Sequence, residues 1–347
     1  MTSAIVLAAG KGTRMVSEKA KTMHMVMGKP MLEHIYDTLK HISCDDIVFV
    51  VGHGHQQIED YFKDKVSYAL QQPQLGSGHA VMQAEMLKGK KGKTLIINGD
   101  CPLITADTYT EMLEKAEEYP LVLLTVCLDD PASYGRIVRN EKGEVTRIVE
   151  RKDCTPEEVK INEINAGIYC VDNQLLWQML PKITNDNAQH EYYVTDLVGL
   201  FIKYGYSVGV VTGSDFRELQ GINNRRELAM ASQWLQEHIN KDLMTSGVSI
   251  LDPANTYISA DTVIGEDTII YPGVRIEGHC RIGKGNIITE GCVLDNAIIG
   301  SNNKLEKAVV RNATIGSNCN IGPWVYIHDD YTVEDNSDIG SFVELKK

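Results

Sequence analysis

Two spacings of apolar residues divide the 347-residue chain. Up to about residue 220, short β-branched runs alternate with stretches whose apolar positions recur at helical spacing. "IVLAAG" (5–10), "DIVFVVG" (46–52), "TLIINGD" (94–100), "LVLLTVCL" (121–128) and "VGVVTG" (208–213) predict strands that end in turn signals, and 31–41 and 105–118 predict helices between them. Such alternation predicts an α/β domain with a mainly parallel sheet. Ligands of such sheets sit at the carboxyl ends of the strands, which places Gly10–Arg14 and Asn98–Asp100 at one edge.

Residues 224–245 predict one helix, with Leu228, Trp234, Leu235, Ile239 and Leu243 as its apolar stripe and Gly247 as its stop. Beyond it the period becomes six. Ile258, Ile264, Ile270, Ile276, Ile282, Ile288 and Leu294 form one unbroken run, and Val309, Ile315, Ile321, Ile327, Val333, Ile339 and Leu345 form a second. The runs join across fifteen residues, so the phase slips there. Hexapeptide repetition of this kind predicts a parallel β-helix with the aliphatic side chains stacked inside. The expected organisation is an α/β domain over 1–223, a connecting helix over 224–247 and a β-helix over 248–347.

Net charge of −13 argues against nucleic acid and anionic membrane as partners. A small anionic substrate is compatible, because residues 1–30 carry Lys11, Arg14, Lys19, Lys21 and Lys29 against Glu18 alone. The eight cysteines contain no CxxC pair, which argues against zinc, and their scatter suits buried thiols in a reducing cytosol. No apolar run is long enough to span a membrane, and no signal peptide is expected, so the predicted location is cytoplasmic.

A strand that feeds a basic, glycine-rich turn is suited to holding phosphate. Gly10-x-Gly12 lacks the third glycine of a dinucleotide fingerprint and the GK[ST] ending of a Walker A loop. With the β-helix, "LAAGKGTRM" (7–15) instead resembles the start of the sugar nucleotidyltransferases. The match is closest to the bacterial bifunctional N-acetylglucosamine-1-phosphate uridylyltransferase/glucosamine-1-phosphate acetyltransferase family. It continues in order through "KTMHMVMGKPML" (21–32), "QQPQLGSGHAV" (71–81), "INGDCPLI" (97–104), "YGRIV" (134–138), "IVERKD" (148–153), "EINAGIY" (163–169) and "GINNR" (221–225).

The resemblance implies a Rossmann-like nucleotidyltransferase domain followed by a left-handed β-helix. It implies transfer of UMP from UTP to N-acetylglucosamine 1-phosphate, with Mg²⁺ as cofactor. Leu7, Ala8, Ala9 and Gly10 match the segment that holds uridine, and Gly12 and Thr13 would offer backbone N–H groups to the phosphates. Arg14 and Lys21 match groups that meet phosphate oxygens near the reacting phosphorus; Lys19 and Lys29 read as solvated surface charges. Gln71 would read the uracil edge, since an amide both donates and accepts; Gln72 and Gln74 are its rivals, and spacing to "LGSGHA" favours Gln71. Gly76 and Ser77 continue that loop, with Ser77 where threonine is usual. Asp100 and Asn223 match the metal ligands, although Asn223 is nearly as well placed to cap the helix after it. Asn98, where tyrosine is common, and Gly99 adjoin Asp100. Gly135, Glu150 and Asn165 match the acceptor-sugar pocket, and Thr195 lines it too. The bland alternative for Glu150 is a solvated acid in a charge run.

In that family the β-helix also carries an acetyltransferase. No arginine stands in "YIHDDY" (326–331), where the family's sugar-phosphate arginine falls, and His328 does not match the family's base. Acetyltransferase activity is therefore expected to be absent. Family members pack three β-helices side by side, which implies a homotrimer. Two alternatives stand beside uridylyl transfer: a nucleotidyltransferase with another sugar or base, such as an ADP-glucose or GDP-mannose enzyme, and a non-catalytic sugar-nucleotide-binding subunit.

Overall fold

The computed structural model describes residues 1–187 and 189–346. They fall into two compact units, one of Met1–His24 with Lys29–Leu228 and one of Met25–Gly28 with Ala229 onward.

The first unit is built on strands β1 (Thr2–Ala8), β2 (Asp46–Val51), β3 (Ser67–Leu70), β4 (Lys93–Asn98), β5 (Leu121–Cys127), β6 (Arg136–Arg139), β7 (Val145–Val149), β8 (Glu163–Asp172) and β9 (Val208–Thr212). Helices α1 (Met31–His41), α2 (His55–Phe62), α3 (Ser77–Met82), α4 (Ala106–Lys115), α5 (Asn173–Met179), α6 (Asp196–Lys203) and α7 (Phe216–Leu219) lie between them. The sheet order is β9-β5-β8-β4-β1-β2-β3, with the β6–β7 hairpin attached to β8. Strand β1 is covered on both faces, so its apolar run is continuous. Ala4, Val6 and Ala8 enter one core with Phe49 and Ile97, whereas Ile5 enters the other with Val48 and Ile96.

The sheet is parallel through β4-β1-β2-β3 and again at β5–β9, as the alternation predicts. Strand β8 is the exception and runs antiparallel to both β4 and β5. It follows the β6–β7 hairpin, so it returns without a crossover helix. Its register against β5 shifts between Asn165 and Tyr169, beside Gly167 at φ 76°.

The final helix, α8 (Arg225–Thr245), crosses the boundary in sequence between the units. Its buried Gln236 and Asn240 donate to the carbonyls of Pro253, Ala254 and Thr256 at the start of the β-helix. Those carbonyls have no preceding coil to pair with, and the amides satisfy them.

The β-helix has three parallel sheets, beginning at Ser249–Ile250, Tyr257–Ile258 and Val263–Ile264. Ile258, Ile276, Leu294, Val310 and Ile327 stack along one face. The expected register fails at one point, because Val310 is buried and Val309 is not. The phase slip is made of five-residue steps, Leu294 to Ile299, Leu305 to Val310 and Val310 to Ile315, rather than one break. The short corners turn through left-handed residues Asn296, Lys307 and Asn312. One corner is tied by a buried ladder: Asn303 N donates to Asn286 Oδ1, and Cys319 N donates to Asn303 Oδ1.

Candidate functional site

At the carboxyl ends of β1 and β4 lies a cleft of about 210 Å³, lined by Leu7, Ala8, Gly10, Lys21, Thr22, Asn98 and Asp100. Beyond its chain neighbours, no atom of the described residues lies within 4 Å of where a Cβ on Gly10 would stand, so the chain is bare there. Gly12 has φ +60°, and the chain then makes one tight helical turn, Thr13–Met15. Gly99 donates its N–H to Leu7 O at 2.9 Å, and a Cβ on it would stand 2.9 Å from that same oxygen. Glycine at 99 thus lets β1 and β4 close on each other just before Asp100.

Four of the predicted side chains converge here. Lys21 Nζ donates to Asp100 Oδ2 at 2.5 Å and to Asn223 Oδ1 at 2.7 Å. Arg14 Nη2 donates to the same Asn223 oxygen at 2.9 Å. Asn223 comes to this place because Ile222 N is anchored on Asp100 O. Helix capping falls to its neighbour instead. Asn224 Oδ1 accepts from the N–H groups of Arg226 and Glu227, and Glu227 Oε2 accepts from Asn223 N. The Asn223 amide is therefore directed at the two cationic side chains.

Whether these residues suit a divalent cation can be judged from the donor set. Asp100 and Asn223 each present a hard oxygen, and a single cationic nitrogen spans both. Two protein oxygens, with the rest of the shell left to water and phosphate, is how Mg²⁺ is commonly held. The residues fit such an ion.

The segment with Gln71, Gly76 and Ser77 is stapled to the chain before α6. Gly78 N donates to Tyr192 O, Tyr192 N to Leu75 O, and Val194 N to Ser77 Oγ. Gly76 has φ +105°, and a Cβ on it would stand 2.5 Å from Tyr192 O. Gln71 is buried and donates to Gly76 O at 2.9 Å. Of its rivals, Gln74 is bound to Ala9 O.

Glu150 and Thr195 face a second cleft, of about 510 Å³, with Asp153, Tyr193 and Asp196 in its walls. Burial, then the charges of Asp153 and Asp196, push the Glu150 carboxyl up, while a hydrogen bond with Thr195 pulls it down. Burial also raises Asp196. Gly135 lies beside this acid, since its Cβ would stand 3.6 Å from both carboxylate oxygens. Asn165 is spoken for within the wall: Nδ2 donates to Tyr169 Oη and Oδ1 accepts from Gly167 N. Asn98 reaches Gly167 O at 3.2 Å, linking β4 to that same bulge.

Three residues near the first cleft escaped the sequence reading. Thr22 lines it, and its buried Oγ1 has no hydrogen-bond partner among the described residues. His24 Nε2 is likewise buried and without a hydrogen-bond partner among the described residues, and burial, with Arg225 and Lys19 nearby, holds the imidazole pKa down. Glu227, with Asn224, forms the cap that releases Asn223; the spacing N-x-x-E at 224–227 was its signal.

The profile described as Nucleotidyl transferase matches residues 3–235, and a second, described as GMPPB C-terminal domain, matches residues 253–347. The Bifunctional protein GlmU of Halalkalibacterium halodurans is 43% identical over 347 residues, covering 99% of this chain and 76% of its own length. That of Bacillus subtilis (strain 168) is 44% identical with the same coverage. A crystal structure described as a glucose-1-phosphate thymidylyltransferase from Bacillus anthracis in complex with sucrose superposes with a TM-score of 0.53 at 21% identity. It covers 67% of this chain and 94% of that one, and it shows a shared fold. The matched profile spans most of the chain and the likeness to GlmU runs through nearly all of it: the chain belongs to the nucleotidyl transferase family and is a nucleotidyltransferase that acts on sugar 1-phosphates.

Proposed function

We propose that the protein transfers UMP from UTP to N-acetylglucosamine 1-phosphate, giving UDP-N-acetylglucosamine and pyrophosphate. The observation that carries this reading is the convergence of Arg14, Lys21, Asp100 and Asn223 on one cleft at the end of β1. A phosphate oxygen of the sugar phosphate attacks the α-phosphorus of UTP; that P–O bond forms as the bond to the pyrophosphate leaving group breaks. The attacking oxygen is already ionised near neutral pH, so no general base is required.

What remains is to align the reactants and neutralise crowded anionic charge. Arg14 and Lys21 supply fixed positive charge beside the phosphates. Gly12 and Thr13 offer backbone N–H groups to them, and Leu7–Gly10 with Gln71, Gly76 and Ser77 hold the uridine. Asp100 and Asn223 would hold Mg²⁺, which when bound adds charge neutralisation at the phosphate oxygens. Glu150 accepts from sugar hydroxyls, with Thr195 beside it in the same cleft. Asn165 and Asn98 shape the sugar side of the site. Acetyl transfer is not part of this reading. The ring Nε2 of His328 lies 2.7 Å from Glu344 Oε1, and no arginine stands over 326–331.

Pyrophosphate release across a panel of nucleoside triphosphates and sugar 1-phosphates tests the proposal. UTP with N-acetylglucosamine 1-phosphate should give the highest kcat/KM. A higher value with any other pair overturns the substrate assignment, and acetylation of glucosamine 1-phosphate by acetyl-coenzyme A overturns the restriction to one activity.

A further inference from the structure

Lys21 engages one side-chain oxygen of each residue assigned to the metal. Its ammonium lies 2.5 Å from Asp100 Oδ2 and 2.7 Å from Asn223 Oδ1. Its stem has little lateral freedom, because Cβ, Cγ and Cδ run alongside Gly12. The Lys21 side chain is only 13% exposed, so solvent screens this contact weakly. An ammonium and a divalent cation cannot share these two oxygens at contact distance, since both the ligands and the space are the same and like charges repel.

We propose that Lys21 excludes the divalent cation from Asp100 and Asn223 until nucleotide phosphates offer its ammonium another anion. This inference rests on the reading of Asp100 and Asn223 as metal ligands. Asn223 is also anchored through Nδ2, which donates to Gly221 O at 3.1 Å, so the asparagine keeps its place when Lys21 leaves. Lys21 and Asp100 line the same cleft as Gly10, where the phosphate loop begins. A rotation of the outer stem moves Nζ from Asp100 toward a triphosphate bound there. Metal and nucleotide then bind with positive coupling, and the coupling belongs to Lys21: whatever the metal gains from nucleotide, the nucleotide gains from metal.

Binding of Mn²⁺ alone to the full chain, followed by electron paramagnetic resonance with no nucleotide present, tests this. Lys21→Met keeps the stem that packs on Gly12 and removes the charge; Lys21→Gln does the same with a polar end. Both should bind Mn²⁺ roughly tenfold or more tighter than the wild type. Adding Asp100→Ala to either variant should abolish that gain. Equal or weaker Mn²⁺ binding in both lysine variants, including no detectable binding in any protein, overturns the exclusion while leaving the metal ligands standing. A gain that survives Asp100→Ala overturns the exclusion and the assignment of Asp100 together.

Discussion

Gly12 and Lys21 are in contact so close that a β-carbon on the glycine would lie 2.6 Å from Cβ of the lysine. Gly12 also has φ +60°, which L side chains adopt only under strain. Gly12→Ala should therefore displace Lys21 from Asp100 as well as strain the loop. The expected result is a stability loss of about 1–2 kcal/mol and a kcat lower by roughly 10²-fold. Thermal unfolding and steady-state kinetics of the variant measure the two. Unchanged kcat would show that the lysine does not need this wall.

Asn223 and Asn224 stand side by side with opposite tasks. Asn224→Ala removes the side-chain oxygen that accepts from Arg226 and Glu227, and should cost about 1 kcal/mol with turnover nearly intact. Asn223→Ala removes the acceptor shared by Arg14 and Lys21, and should lower kcat by orders of magnitude with little change in unfolding. If the two variants exchange these phenotypes, the assignment of Asn223 to the chemistry is wrong.

The pair also shows how much the sequence could say. Motif order was enough to propose Arg14, Lys21, Asp100 and Asn223, residues up to 209 positions apart that the fold draws together. It could not decide whether Asn223 held the metal or capped the helix, because the choice depends on where the first turn begins. The continuous apolar runs of β1, β2 and β4 were legible because both of their faces are buried. The direction of β8 was not: its residues read alike in either orientation, and only the hairpin before it reverses the chain. In the β-helix a strict period of six was legible, whereas the one-residue choice between Val309 and Val310 was not. Both are valine, and three short corners decide which turns inward. The unpartnered hydroxyl of Thr22 had no signal at all, since burial without a partner is a property of the packed chain.

Glu150 gives a prediction with a definite sign. Its carboxyl is raised in the folded chain, chiefly by burial and then by Asp153 and Asp196, so ionising it costs folding free energy. That cost is absent below the unfolded-state carboxylate range and is incurred as pH rises through the raised value. Glu150→Gln should accordingly be more stable than the wild type at neutral pH, and the gain should vanish in acid. The same variant should raise KM for the sugar phosphate, because the amide is a weaker acceptor. Denaturant unfolding at neutral and acid pH checks the first expectation; a gain that grows in acid would place Glu150 in a stabilising pair instead.

The outer surface of the β-helix carries the last prediction. The stacked aliphatic residues fill the inside of the coils, yet Val263 and Ile298 project outward from one face at 57% and 52% exposure. They flank Arg281 in adjacent strands of the same sheet, and Thr314 continues that column. Val309 points outward on a second face and Ile287 on the third. β-Branched residues on flat sheet faces suit side-by-side packing, and a closed ring would cover such faces with no open end. We therefore expect a homotrimer held through the β-helix, as the family resemblance implies. Light scattering of the full chain should give about three times 38.6 kDa. Ile298→Glu would bury an unpaired charge in that interface, costing several kcal/mol per contact, and should release monomers whose uridylyl transfer persists. Every residue placed at the two clefts precedes the β-helix in sequence, so activity is expected without the ring. A monomeric wild type, or a trimer indifferent to charge at position 298, would remove this face from the assembly.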